Sequence, residues 1–418
     1  MIYRLLVIPA LLLFLVSCGR SELQPKQGSA TISAIDSLLA SEVAGPLPGA
    51  VVRVQQGDSV LHENAYGFAR MYGNDLQPVE QPDTMRVDHL FDLASLTKVF
   101  VTTFGIMMLV DEGSVHLDDP IHRWLPEFSE GKKRDITLRH LLSHSAGLCP
   151  WKPTYYRASD PAEQYGYIAA LPLQYPVGEG RHYSDLGFML LGEIIHRITG
   201  SRVDRFLRDR LYEPLGLRRT CYTPLEHGMA AGEIAATSHG NPFERQMVYD
   251  DSFGYNVDLD PELWDGWRQY TLRGEVNDGN AWYGAGGVAA HAGLFSMAAD
   301  LQVLITLLLN GGNRNGEQLI SPAVVDTFLT ENRFGNGLGW AMDPAVFSAE
   351  GVPAGSFGHT GFTGTSVAVI PEKQLSIILL TNRQHAGRLE SGYYYDLDPL
   401  RQKLVDIVLQ FDGHGKNR

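Results

Sequence analysis

Phe91–Gly113, FDLASLTKVFVTTFGIMMLVDEG, sets a serine and a lysine three residues apart at the head of a long apolar run. In a helix, Ser95 and Lys98 lie one turn apart on one face. The segment is apolar nearly all round, which predicts a helix buried between layers rather than one lying on the surface. Gly113 is its stop signal.

The flanks supply the layers. Upstream, Ile32, Ile35, Leu38, Leu39 and Val43 keep a helical period from Thr31. LPGAVVRVQQGDSVLHENAYGFA then reads as two strands joined at Gly57-Asp58. Between about Leu117 and Gly293 short helical patterns are broken by Pro, Gly and aromatic loops. Thr137 caps one helix in ITLRHLLSHSAGL, and Gly200 closes another over Asp185–Thr199. A third lies in SRVDRFLRDRLYEPLGL, whereas Thr223–Gly287 carries no usable period. In the last third, Ser296–Asn310 is an apolar helix and Ser321-Pro322 opens another. GLGWAM, TSVAVIP and QLSIILLTN read as strands, the last two joined at Glu372-Lys373, before a closing helix from Asp398-Pro399 to Phe411. Strands at both ends around a helical middle predict an α/β (α+β sandwich) fold, an antiparallel sheet flanked by helices with an inserted all-helical domain. The expected α/β domain is 31–116 with 294–418, and the insertion is 117–293.

The first 30 residues belong elsewhere. MIYRLLVIPALLLFLVSCGR has one early positive charge, Arg4, and an apolar run from Leu5 to Val16, too short to span a bilayer but suited to a signal peptide over 1–17. Leu15-Val16-Ser17-Cys18 resembles a bacterial lipobox, which predicts lipid attachment at Cys18 and a polar tether over 18–30. The protein is therefore expected to be exported to the cell envelope, with membrane contact through its lipid anchor. A net charge of −14 argues against a nucleic-acid partner, since phosphate neutralisation needs clustered Lys and Arg. Cys149 and Cys221 form no metal-ligand spacing, and their pairing is left open. His140 and His144 fall at i, i+4 with no acidic third ligand beside them, so neither a metal nor a cofactor is expected.

A serine hydroxyl becomes a nucleophile when something takes its proton. A lysine can do that only where desolvation lowers its pKa, and the apolar company of Lys98 meets that need. A helix N-terminus also aims free N–H groups at a developing oxyanion. A second Ser-x-x-Lys, Ser129–Lys132, lies in the charged loop PEFSEGKKRDI, where its lysine is hydrated. Two further elements accompany Ser95: Tyr183-Ser184-Asp185 at a helix start, where a tyrosine can shuttle protons, and His359-Thr360-Gly361-Phe362 before a strand, where backbone can dock substrate or lend an N–H. No G-x-S-x-G elbow is present.

Ser95-Leu-Thr-Lys98, LLSHSAGL, Tyr183-Ser-Asp185 and GHTGFTGTS, in that order over about Ile32–Phe411, resemble the serine β-lactamase-related family of class C β-lactamases, D-alanyl-D-alanine carboxypeptidases and related esterases. NDGNAWYGAGGVAAHAGLFS, Asn277–Ser296, is similar to the penicillin-binding protein 4B branch. The resemblance implies a β-lactamase/transpeptidase-like fold and an acyl-enzyme: Ser95 attacks, Lys98 and Tyr183 move protons, and the N–H groups of Ser95 and Phe362 hold the oxyanion. It implies a small-molecule or peptidoglycan-peptide substrate, with a carboxypeptidase or esterase activity and, as alternatives, a β-lactamase or a non-catalytic binding protein. Two positions depart from the pattern. His359 stands where the family usually has Lys, which weakens recognition of a substrate carboxylate, although Arg383 could compensate. Asp185 replaces the usual Asn and favours the ammonium form of Lys98, so Lys98, Tyr183 and Asp185 all stay open as the base.

Overall fold

The structure is a computed structural model that describes residues 27–158, 160–342 and 351–410. The expected signal peptide, Cys18 and most of the tether lie outside these residues. The first helix, α1 (Gln27–Val43), begins earlier than the expected tether end at residue 30.

A six-stranded sheet organises the molecule. Its strands are β1 (Gly49–Gln56), β2 (Ser59–Tyr72), β3 (Pro78–Thr84), β4 (Phe357–Thr360), β5 (Ser366–Ile370) and β6 (Leu375–Thr381), in spatial order β3-β2-β1-β6-β5-β4. All pairings are antiparallel, and the N- and C-terminal segments meet where Ala50 faces Thr381 and Gln56 faces Leu375. Alternation along the central strands explains why LSIILL is apolar at nearly every position. Ala50, Val52, Val54, Ile377 and Leu379 pack with Ile35 and Leu39 of α1 and with Leu400, Leu404 and Val408 of the closing helix. Val51, Ile378 and Leu380 point the other way, into the main core.

That second face is where the Phe91–Gly113 stretch lies. The expected single helix is divided: Lys98–Thr103 is a π-helical segment, followed by α2 (Phe104–Asp111), and Gly113 ends it at φ +70°. All six residues of the π segment are buried. Around it pack α3 (Asp185–Thr199) and the short helix Val203–Leu207, while α4 (Ala298–Leu309) lies against β6. A buried hydrogen bond from Ser376 Oγ to Gln302 Oε1, 2.8 Å, ties α4 to that strand.

Two sequence expectations are corrected, and one strand is added. GLGWAM forms no strand; Ala341 makes only isolated bridges, to Asn336 and to Gly358 on the outer side of β4, because glycine turns flank it. The helix in ITLRHLLSHSAGL stops at Leu142, and His144 takes a left-handed φ of +56°, so His140 and His144 share no helical face. β3 escaped the pattern reading because it is an exposed edge strand with no apolar alternation. Both described cysteines are free thiols.

Leu379 sits between the sheet and both outer helices at 1 % exposure. Leu379→Ala is expected to cost about 2–5 kcal/mol of stability, read as a lowered urea midpoint with an unchanged slope.

Candidate active site

Short hydrogen bonds from one loop to one strand end position the nucleophile. Phe91-Asp92 pairs with Phe295-Ser296, and Asp92 accepts N–H groups from Ala94 (2.9 Å) and Asn277 (2.6 Å). Burial lifts the Asp92 carboxyl to about 6 against those two bonds. Ala94 is thereby held at φ +45°, a conformation costly for a non-glycine residue, and the chain turns sharply so that Ser95 opens onto the cleft. The loop after β4 is fixed to the same segment. Thr363 Oγ1 donates to Asp92 O (2.6 Å) and Thr365 Oγ1 to Leu93 O (3.1 Å). A Cβ on Gly361 would lie 2.4 Å from Leu93 O and 2.2 Å from Thr365 Oγ1, so only glycine permits this approach. Phe362 is therefore held beside Ser95, and neither of their backbone N–H groups is spent on a hydrogen bond among the described residues. Two free N–H groups beside one hydroxyl are what an oxyanion site requires. Arg383 does not stand in for the missing lysine: its guanidinium donates to Phe362 O (2.8 Å) and Tyr395 O (2.9 Å), bracing this loop from behind.

Tyr183 and Asp185 arrive from the start of α3. Ser184 is its cap, accepting from Gly187 N–H and donating to Cys149 O at 2.8 Å. Its own N–H goes to His144 Nδ1 (3.0 Å), and the His144 ring packs on Tyr183 with centroids 4.5 Å apart. His144 is held well below its ordinary pKa, first by burial and then by the Lys98 charge.

These segments converge on Lys98, whose side chain is wholly buried. Its Nζ donates to Ser95 Oγ and to His291 O, each at 3.0 Å, and forms an ion pair with Asp185 Oδ1 at 2.6 Å. It also lies 5.1 Å from the Tyr183 ring centroid. Burial alone depresses the Lys98 pKa, but Asp185 and then Tyr183 outweigh it, and the net direction is upward. The resting lysine is an ammonium. The Tyr183 hydroxyl interacts with both Ser95 and Lys98; burial raises its pKa, Lys98 pulls it back, and the net shift is upward. The second Ser-x-x-Lys plays no part here, since Lys132 is exposed.

His359 and Thr360 end β4, with the His359 ring centroid 5.9 Å from that of Tyr183, though neither residue lines the cavity that holds Ser95. The His359 Nδ1 and Thr360 O are 2.8 Å apart, so Nδ1 carries the donated proton and Nε2 is bare. Burial, reinforced by Lys98, pulls the pKa of His359 to about 3, and the ring is neutral.

Ser95, Tyr183, Asp185 and Phe362 line one cavity of about 240 Å³. Trp151, Phe243, Met247, Tyr255 and Tyr394 form apolar walls, with Phe243 and Phe362 ring centroids 4.9 Å apart. Two further carboxylates, Glu244 and Asp278, complete it. They come from the stretch that had no usable period; their only local sign is that Asp278 caps the short helix Gly279–Ala285. No group of three or more His, Cys, Asp or Glu side chains that could hold a metal occurs among the described residues.

Fold and site define a serine hydrolase built on an α/β sandwich. The chain belongs to the beta-lactamase family, whose model matches residues 35–400. It is 31 % identical over 377 residues to the Escherichia coli (strain K12) protein named "Putative D-alanyl-D-alanine carboxypeptidase", covering 85 % of this chain and 83 % of that one. It is 32 % identical over 376 residues to the N-acetylmuramyl-L-alanine amidase of Bacillus subtilis (strain 168), covering 84 % and 80 %. The D-amino acid amidase of Ochrobactrum anthropi SV3 shares the fold, with a TM-score of 0.66 at 22 % identity over 91 % of this chain and 99 % of that chain.

Gly361→Ala is expected to push Phe362 away from Ser95 and lower kcat by about 10²–10³, the usual cost of losing one oxyanion donor. Hydrolysis of p-nitrophenyl acetate measures this, with an unchanged circular dichroism spectrum showing that the fold is kept.

Proposed function

We propose that this chain cleaves amide or ester bonds in small peptidoglycan-derived substrates at the cell envelope, through an acyl-enzyme on Ser95. The observation that carries this reading is the 3.0 Å contact of Lys98 Nζ with Ser95 Oγ inside a cavity that also receives Tyr183. Because Lys98 is an ammonium donating to Ser95 Oγ, the serine proton must leave by another route. Tyr183 offers it. As Oγ attacks the carbonyl carbon, Tyr183 in its phenolate form accepts the proton and becomes the phenol, while the Ser95 and Phe362 N–H groups take up the oxyanion. The tyrosine then protonates the leaving group, and a water repeats the sequence on the acyl ester. Since the phenol's pKa lies above its ordinary value, the phenolate is the minor form at neutral pH and activity grows as it forms. Lys98 lowers the cost of that phenolate by placing a positive charge beside it.

Relatives named "Putative D-alanyl-D-alanine carboxypeptidase" and "N-acetylmuramyl-L-alanine amidase" support an amide substrate. The neutral His359 favours substrates that do not depend on a terminal carboxylate, and so an amidase or esterase over a strict carboxypeptidase. The Cys18 motif supports a lipid-anchored, exported protein.

Intact-mass measurement after incubation with a penicillin and with a p-nitrophenyl ester is expected to give an adduct or turnover that Ser95→Ala abolishes; silence from the wild-type protein with both overturns the reading. Asp185 raises the Tyr183 pKa, so Asp185→Asn should lower it. Activity rises with pH as the base loses its proton, and the acidic limb of kcat/KM is therefore expected to move down by about one pH unit. An unmoved limb removes Tyr183 as the base, and abolished activity assigns the proton to Asp185. Cys18→Ala is expected to move the protein out of the membrane fraction.

A further inference from the structure

The cavity that opens on Ser95 is charged one way. Three of its lining side chains, Asp185, Glu244 and Asp278, are acidic, and none is Lys or Arg. Asp185 is matched by Lys98 at 2.6 Å. The other two carboxylates have no such cation on the cavity side.

Their hydrogen bonds do not use them up. Glu244 Oε1 accepts from Tyr155 OH (2.8 Å) and Oε2 from Gly279 N–H (2.9 Å), whereas a carboxylate offers about four acceptor positions. Asp278 accepts from Ala281 N–H (2.8 Å) and pairs with His291 Nε2 (2.9 Å), both through Oδ1. Its Oδ2 takes part in neither, and 21 % of the side chain is exposed. The nearby guanidinium, Arg268, is committed behind the wall. It donates to Asn241 Oδ1, Val276 O and Asn277 O, and pairs with Glu275 at 3.3 Å.

We propose that Glu244 and Asp278 form a specificity subsite for an ammonium group carried by the substrate, so that the preferred substrates are amides or peptides bearing a free amine on an apolar body. The proposal rests on the reading of Ser95 as the nucleophile of this cavity and names the substrate class it takes. The apolar walls, Trp151, Phe243 and Met247, receive the hydrocarbon part. The charge balance gives the subsite a signature. Burial, then the Asp278 charge, lift the Glu244 carboxyl to about 8, against the hydrogen bond from Tyr155 and the more distant Arg268. At pH 7 the empty subsite therefore holds Glu244 as the neutral acid. An arriving ammonium stabilises the carboxylate, the carboxyl O–H bond breaks, and one proton leaves to solvent while the ammonium keeps all of its own.

Titration calorimetry on full-length Ser95→Ala protein tests this without chemistry at the serine. The probes are D- and L-leucine amide and their N-acetyl counterparts, at pH 7 in phosphate and in Tris, which differ in ionisation enthalpy. At least one free amine is expected to bind about tenfold or more tighter than its acetylated form, with release of up to one proton. Glu244→Gln in the same background is expected to abolish that release and most of the preference. Equal affinity for amine and acetylated forms, or no binding of either, overturns the proposal, and needs no folded Glu244 variant to be read. A Ser95 adduct in the wild-type protein would stand after either result, whereas amine binding with no Ser95 adduct would remove the hydrolase and leave the subsite.

Discussion

A charge in the middle of an apolar layer has to be met by acceptors that are themselves fixed, because the protein interior leaves no water to do it. Lys98 imposes that requirement. It sits on a fully buried π segment, and its ammonium is met by Ser95 from its own turn, by Asp185 from the start of α3, and by the carbonyl of His291 from a distant loop. Each acceptor brings a chain segment with it. The loop runs on alongside the helix, with Thr102 donating to Ala290 O and Leu294 N–H donating to Thr97 Oγ1. Satisfying one buried amine thus gathers the nucleophile, the tyrosine and the Asp278 loop around one cavity.

The oxyanion side obeys a different constraint, close packing of backbone on backbone. Two threonine hydroxyls bind the carbonyls of Asp92 and Leu93, and the missing side chain of Gly361 lets the loop settle there. Phe362 is then fixed from in front by this contact and from behind by Arg383 and Gln384, which both donate to its carbonyl. Its backbone is thus fixed without any ligand, and in the proposed reaction a donor fixed beforehand contributes most to rate.

How much of this is legible in the sequence follows from which forces are local. The nucleophile turn, the Ser184 cap and the paired apolar strands are written in short-range pattern, and so Ser95, Lys98, Tyr183 and the β4 loop emerge from reading along the chain. Arg383 looked available because nothing local shows that its donors go to Phe362 and Tyr395. Glu244 and Asp278 lie in a stretch held by irregular contacts: Tyr155 to Glu244, Asn280 to Thr154, Arg268 over Trp282 at 4.6 Å. Such contacts have no period, so the sequence shows the residues without showing that they face the serine. The π segment is invisible for a related reason, since its cause is the fit against neighbours rather than helix propensity.

The two departures from the family pattern act in one direction. Replacing Asn by Asp at position 185 adds one negative charge at the base of the cleft. Placing a neutral His at 359, where the pattern has Lys, removes one positive charge beside Tyr183, whose ring centroid lies 5.9 Å from that of His359. Together they shift the electrostatic balance of the cleft by two unit charges toward the negative, beside Glu244 and Asp278. A carboxylate substrate would find the buried Lys98 already matched by Asp185 and no Lys or Arg lining the cavity. A cationic substrate meets the Asp278 carboxylate on the wall and, beside it, a Glu244 carboxyl that can give up its proton to match the charge. Charge reversal at this depth is felt strongly because the surrounding aromatic walls keep the effective dielectric low. The same nucleophile and oxyanion geometry can therefore serve a different class of substrate with the catalytic groups left in place.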